Sequence, residues 1–125
     1  MNNKNVEGNM LKSKFYVCPV CGNIIHSMEE SIISCCGVKL QVLDSILENE
    51  KHTMNCEIIE NEYYISTTHG MSKEHYMSFI AYVTDNRCEI VKLYPEQKAE
   101  ARFLNRGKGI LYAYCNLHGL FRKEI

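Results

Sequence analysis

The 125-residue chain lacks several features that would each assign it to a broad functional class. No apolar run approaches the roughly 20 residues of a membrane-spanning helix, so we expect no membrane partner. Lysines and arginines do not outnumber acidic residues, and the net charge of −1 argues against nucleic acid, which normally requires a basic face. Residues 1–14 lack the apolar stretch of a signal peptide, so we expect a cytoplasmic location. Thiols stay reduced there, which makes seven cysteines candidate ligands or buried thiols rather than disulfides.

The residues that can bind metals form two sets that do not mix along the chain. The first third holds a set of four cysteines, and the remainder holds four of the five histidines, with Cys115 three residues before the last of them. The first set is Cys18, Cys21, Cys35 and Cys36, and the second is His52, His69, His75, Cys115 and His118. Because thiolate-only and imidazole-rich sites suit different chemistry, this partition predicts two metals with two roles.

The first set has the ligand count and softness for a tetrahedral zinc or iron ion. Its second pair is a vicinal Cys35-Cys36 rather than a second Cys-x-x-Cys, so two adjacent side chains must reach one ion. Residues 15–42 are too few to fold stably on apolar burial alone, and a metal would supply the missing stability. The residues alone leave open whether this site is a structural zinc clip or an iron centre.

The second set offers five ligands, which exceeds the four-coordinate shell of structural zinc and leaves one octahedral position open. Cys115 and His118 come directly after a predicted strand, so both can face one ion from a tight turn. Imidazole suits iron, and an axial thiolate pushes electron density onto the metal. With Fe(II) the five ligands leave a charge of +1, which would attract a small anion. The pattern therefore predicts redox chemistry on a small anionic oxygen species.

The rest of the pattern predicts a mainly β protein. We predict a flexible leader at 1–14, a small four-cysteine metal module at 15–42, a linker at 43–50 and a β-sandwich at 51–125. Alternation over 75–84, followed by Asp85-Asn86 and a second run over 87–94, is a strong hairpin signal. Several such short strands with no convincing helix favour an antiparallel sandwich.

The chain resembles the desulfoferrodoxins, the two-iron form of superoxide reductase. The front is similar to desulforedoxin through two motifs, and the back is similar to the neelaredoxin-type catalytic domain through four. The front motifs are Tyr16-Val17-Cys18-Pro19-Val20-Cys21-Gly22-Asn23 and Cys35-Cys36-Gly37; the back motifs are Glu50-Lys51-His52, His69-Gly70-Met71, Glu74-His75-Tyr76 and Tyr114-Cys115-Asn116-Leu117-His118-Gly119-Leu120. The similarity covers roughly residues 15–122. Gly70 departs from the family, which usually has proline there.

The resemblance implies a rubredoxin/desulforedoxin-like module followed by an immunoglobulin-like antiparallel β-sandwich. It implies one iron on the four cysteines, where zinc is also possible, and a second iron on four equatorial histidines with Cys115 axial. In the family, the residue matching Lys51 steers superoxide and assists protonation, and the one matching Glu50 can cap the oxidised iron. The reaction turns superoxide into hydrogen peroxide, and a donor such as rubredoxin restores the iron. A homodimer is also implied.

Two other functions fit the residues. One is a metal-binding electron carrier or sensor with little superoxide activity, and the other is a structural zinc protein. Three further residues belong to neither predicted site. We expect His26 to face solvent, and Cys56 and Cys88 to be buried small thiols in strands.

Overall fold

The computed structural model describes residues 9–125 as an almost entirely β structure, which confirms the expected fold class. The one helical segment in this range is a 3₁₀ turn, Met10–Lys12, and none there has the length and apolarity to cross a membrane. The strands are β1 (Lys14–Val17), β2 (Ile24–Ser27), β3 (Ser34–Cys35), β4 (Val38–Lys39), β5 (Ser45–Leu47), β6 (Asn55–Ile59), β7 (Glu62–Ser66), β8 (Met77–Val83), β9 (Cys88–Lys92), β10 (Glu100–Leu104), β11 (Ile110–Cys115) and β12 (Gly119–Glu124).

Two of the sheets form the sandwich. A five-stranded sheet has the order β5-β12-β11-β8-β9, and a three-stranded sheet has the order β10-β7-β6. All neighbours are antiparallel except β5 and β12. Ile65 and Phe103 of the small sheet share one buried cluster with Ile80 and Leu111 of the large sheet. The alternating pattern of these strands therefore places one face of each sheet in a common core.

The large sheet is buried on its second face as well, because the N-terminal hairpin packs against it. All seven residues of β8 are buried. Phe15 of β1 lies with its ring centroid 5.5 Å from that of Phe79 and 5.1 Å from that of Tyr112. The next side chain, Tyr16, joins a separate small core with Cys18. Since neighbouring side chains in a strand point to opposite faces, β1 joins the cysteine module to the sandwich.

Three predicted features differ from the structure. Within the cysteine module the pattern predicts a hairpin between residues 23–25 and 31–34, but in the structure Ile24–Ser27 pairs back onto β1. The predicted linker at 43–50 contains β5, which lies parallel to β12. The sequence pattern predicted neither of these two strands. Of the predicted leader, residues 9–14 form the 3₁₀ turn and the start of β1, while residues 1–8 lie outside the described residues. Strands β5 and β12 form because each pairs with a segment that is distant in sequence, and a local sequence pattern does not indicate such pairing.

Gly109 marks the tightest backbone approach among the described glycines. A Cβ there would meet the Val83 carbonyl oxygen at 2.4 Å and Tyr82 Cε1 at 2.9 Å. We expect Gly109→Ala to lower the free energy of unfolding by about 1–3 kcal/mol, because β8 must shift to admit the methyl group. Gly70→Ala is the matched control, since its Cβ would meet nothing within 4 Å. Urea unfolding at fixed metal loading measures both, and equal midpoints would contradict the clash.

Candidate metal centres

The four cysteines of the first set converge on one point. Cys18 and Cys21 flank the turn after β1, and Cys35 and Cys36 lie at the turn between β3 and β4. All four sulfur atoms lie within 4.8 Å of one another, with 3.7 Å between Cys21 and Cys35 and 4.0 Å between Cys35 and Cys36. A tetrahedral ion with metal–sulfur bonds of about 2.3 Å requires sulfur–sulfur distances of about 3.8 Å. The geometry therefore fits a four-coordinate thiolate site.

Left-handed backbone conformations make this convergence possible. Cys36 has a φ of 53° and Gly37 a φ of 74°, so the chain reverses within the vicinal pair. A non-glycine residue in this region carries a strain of order 1–3 kcal/mol, which surrounding structure or a bound ion must offset. Gly22, with a φ of 75°, turns the chain after Cys21 in the same way.

Backbone amides also prepare the thiols for metal. The N–H of Cys21, with a smaller contribution from that of Val20, lowers the pKa of the Cys18 thiol to about 7 against the opposing effect of burial. Contacts with the sulfurs of Cys21 and Cys18 raise the pKa of Cys36 to about 12. One thiolate is thus favoured and further ones are opposed, which is the behaviour of a cluster that a cation would complete.

The four histidines of the second set form a closed ring around a common point. Neighbouring ring centroids lie 5.0 Å apart for His52 and His69, 4.5 Å for His69 and His75, 4.9 Å for His75 and His118, and 5.0 Å for His118 and His52. The donor atoms of three of these histidines and of Cys115 lie within 4.8 Å of one another, and His69 lies just outside that group. Five potential ligands therefore face one small volume.

Distances from Cys115 to two of the histidines are those of ligands that share one ion. Cys115 Sγ lies 3.1 Å from His75 Nε2 and 3.5 Å from His118 Nδ1. Bonds of about 2.1 Å to nitrogen and 2.3 Å to sulfur separate the two atoms by about 3.1 Å at 90° and about 3.6 Å at the tetrahedral angle. The His75–Cys115 pair matches ligands at 90°, and the Cys115–His118 pair lies closer to the tetrahedral value, so both fit binding to one ion.

His69 supplies an independent test of whether a metal fits. Its Nδ1 lies 2.6 Å from the carbonyl oxygen of Gly70 and donates its proton to it. Its Nε2 is then unprotonated, and it is the one buried side-chain nitrogen or oxygen in residues 9–125 with no hydrogen-bond partner. An orphaned buried acceptor is costly, and a cation in the ring of histidines would satisfy it.

The loop that carries His52 is fixed at both ends. The backbone N–H of Met54 donates to the Glu48 carboxylate at 2.8 Å, and Lys123 Nζ bonds to Glu48 at 3.1 Å and to the Met54 carbonyl at 2.9 Å. Inside the loop, Asn49 Oδ1 accepts from the backbone N–H of Lys51 and of His52. The same oxygen lies 3.3 Å from His52 Nδ1, which directs Nε2 toward the other ligands.

Burial keeps two of these imidazoles in the ligand form. It lowers the pKa of both His52 and His69 below 6.5, with smaller effects from the neighbouring histidines. Both rings are therefore neutral at pH 7, as metal binding requires. Phe121 closes the floor under His52: the two rings are stacked with centroids 4.1 Å apart and an angle of 9° between planes.

Glu50 and Lys51 occupy the exposed turn immediately before His52. Neither side chain makes an ion pair or hydrogen bond with another of the residues that the structure describes. The lysine ammonium group is consequently free to extend toward the ring of histidines or into solvent. The structure places both residues beside the second centre and assigns neither a contact with it.

Three residues that contact a ligand or the backbone beside one were given no role from the sequence: Asn49, Asn116 and Phe121. An asparagine such as Asn49 indicates a turn, but the sequence does not indicate that its side chain also bonds to His52. The expectation for His26 is wrong: it is half-buried, with Nε2 2.8 Å from Ser13 Oγ. Cys56 and Cys88 lie in β6 and β9 as half-buried thiols, and burial raises the pKa of both, to about 11 for Cys88.

Known proteins share both the sequence and the fold. A sequence model of the family described as Desulfoferrodoxin matches residues 44–124. The desulfoferrodoxin of Desulfarculus baarsii is 31% identical over 118 residues, which cover 87% of this chain and 94% of that protein. The chain belongs to the desulfoferrodoxin family. A second desulfoferrodoxin, from Syntrophotalea carbinolica, is 30% identical over 122 residues, covering 90% of this chain and 97% of that one.

The desulfoferrodoxin fold also matches a solved structure over most of the chain. The crystal structure of the superoxide reductase from Treponema pallidum superposes with a TM-score of 0.78 at 20% identity, covering 89% of this chain and 97% of that one. The superoxide reductase from Giardia intestinalis, described as 1Fe, superposes with a TM-score of 0.50 at 22% identity over 62% of this chain. At these identities the likeness establishes the fold.

Proposed function

We propose that this desulfoferrodoxin is a superoxide reductase, which adds one electron and two protons to superoxide to give hydrogen peroxide. The observation that carries the proposal is the ring of four histidines with the Cys115 sulfur beside it, 3.1 Å from His75 Nε2 and 3.5 Å from His118 Nδ1. Such a shell holds five positions and leaves the sixth for a small anion. The names of the solved relatives, superoxide reductases from Treponema pallidum and Giardia intestinalis, support the same reaction.

Each group of ligands has a separate role in this proposal. Iron held by the second set would supply the electron, and its ligands are His52, His69, His75, His118 and Cys115. The buried Cys115 thiolate would donate electron density to that ion when it is bound, which would favour oxidation of the ion. The first set would hold a second iron, or zinc, and with four thiolates it has no position for substrate. It can pass electrons or stabilise its module.

Lys51 would attract superoxide and Glu50 would approach the metal after oxidation, as the family resemblance implies. We expect Lys51→Ala to lower the second-order rate constant for superoxide by about tenfold and to flatten its dependence on salt, because a cation near the entrance is lost. Lys39→Ala, an exposed lysine on β4 of the other unit, is the matched control. Pulse radiolysis over a range of ionic strength measures both. An unchanged rate and salt response would refute the steering role.

The remaining features of the proposal concern the surroundings of the enzyme. All seven cysteines are free, which fits a reducing compartment such as the cytoplasm. A small redox protein such as rubredoxin would return the electron, and two copies of the chain would form a homodimer. Sedimentation and reduction by purified rubredoxin test these two expectations directly.

One experiment separates the enzyme from its alternatives. The chain is purified without oxygen from iron-replete cells, its metals are counted, and the reduced protein is exposed to superoxide. Two irons with rapid reoxidation and one peroxide formed per electron support the reductase. Two irons without reoxidation would indicate a carrier or sensor, and zinc at both sites would indicate a structural zinc protein.

A further inference from the structure

Asn116 binds the chain on both sides of His75. Its Oδ1 accepts from the backbone N–H of Tyr76 at 2.9 Å, and its Nδ2 donates to the carbonyl oxygen of Glu74 at 2.9 Å. Its own backbone N–H donates to the Tyr76 carbonyl at 3.1 Å. Asn116, which follows Cys115, thus makes three hydrogen bonds to the two residues that flank His75.

An irregularity in the sheet explains why a side chain performs this role. In the β8–β11 ladder Tyr114 lies opposite Phe79, but Cys115 lies opposite Met77, so Ser78 is an extra residue. The ladder bends at this bulge and regular pairing ends at Met77. A side-chain amide has one donor group and one acceptor, like a peptide, so Asn116 can pair with the two backbone groups beyond the bulge.

We infer that Asn116 is a positioning residue that fixes His75 against Cys115. The pairing holds His75 Nε2 3.1 Å from Cys115 Sγ, the separation expected for two ligands at right angles. The inference rests on the proposed function in one respect, that His75 and Cys115 bind the same ion. Asparagine is required because aspartate would set one carboxylate oxygen, an acceptor, against the Glu74 carbonyl oxygen, and glutamine would place the amide one carbon too far.

The test compares Asn116→Ala, which loses both side-chain bonds, with Asn116→Asp, which keeps the acceptor for Tyr76 and loses the donor to Glu74. Asn61→Ala is the control, an exposed residue at the β6–β7 turn. Each full-length protein is loaded with iron. The measurements are iron release to a chelator, the thiolate-to-iron absorption of the five-ligand centre and its midpoint potential. The four-cysteine centre of the same molecule is an internal reference.

We expect iron release from the five-ligand centre to be about 10- to 100-fold faster in Asn116→Ala, and also faster in Asn116→Asp, where two acceptor oxygens would face each other. Its absorption band and potential should shift while those of the four-cysteine centre stay unchanged. A lower unfolding midpoint with wild-type spectrum, potential and release would overturn the inference and leave Asn116 a structural residue. Wild-type protein with two irons but no reaction with superoxide would instead refute the proposed function, and the comparison of release rates would still stand.

Discussion

Cys115→Ser is expected to reduce the rate of superoxide reduction by at least about 100-fold. Substitutions of residues that only orient a ligand already cost roughly 10- to 100-fold in metal affinity or activity, and this change removes a ligand itself. Cys115 is fully buried, with its sulfur 3.1 Å from His75 Nε2. A serine hydroxyl of similar shape preserves the packing but stays protonated at neutral pH, so it donates far less electron density to iron.

The design separates loss of chemistry from loss of fold. Cys56→Ser is the matched control, because Cys56 is a half-buried thiol of the same sandwich that belongs to neither site. Iron content, circular dichroism and the rate of reoxidation by superoxide are measured for both variants. Cys115→Ser should fold, keep the iron of the four-cysteine site and lose the reaction, whereas Cys56→Ser should keep all three properties. A Cys115→Ser protein that still reacts at the wild-type rate would place the chemistry elsewhere.

Local spacing made the ligand types of both centres predictable. Cys18 and Cys21 have two residues between them in a turn, and Cys115 and His118 both follow the end of one strand, so their convergence follows from short-range geometry. His52 is different, because its loop reaches the other ligands only after β5 has paired with β12. Its assignment from sequence rested on the concentration of histidines in the second set and on resemblance to a family, and not on local spacing. Asn49 and Asn116 hold the ligands in place, and only their hydrogen bonds in the structure identify this role.

The same reasoning explains why β12 was not predicted. The strand carries Arg122 and Lys123, whose charges obscure the apolar alternation of Leu120 and Phe121. In the structure both charges are used: Arg122 donates to the carbonyl of Ser45 in β5, and Lys123 donates to the carbonyl of Met54 beyond His52. The charged segment at the end of the sequence therefore holds β5 and the loop that carries His52 in place. Charge at those positions serves tertiary hydrogen bonds rather than solubility.

Phe121→Ala is expected to lower the free energy of unfolding by about 3–5 kcal/mol, as for other large-to-small changes in a core. Phe121 is 2% exposed and belongs to the main cluster between the sheets. It also lies flat under His52, with a centroid distance of 4.1 Å. Removing the ring therefore leaves a cavity beside a metal ligand, and unfolding midpoints at fixed iron content would measure the cost.

Phe121→Leu distinguishes packing from orientation. Leucine restores much of the volume, so the loss of stability should fall to about 1.5 kcal/mol or less. It offers no flat surface, so His52 gains freedom to rotate, and iron should leave the five-ligand centre faster than in the wild type. Phe103→Leu, the same change in the same core but beside Tyr82, is the control and should lose stability without faster iron release. If both leucine variants retain iron equally well, stacking on His52 has no part in positioning it, and the Asn49 hydrogen bond alone must set the direction of that imidazole.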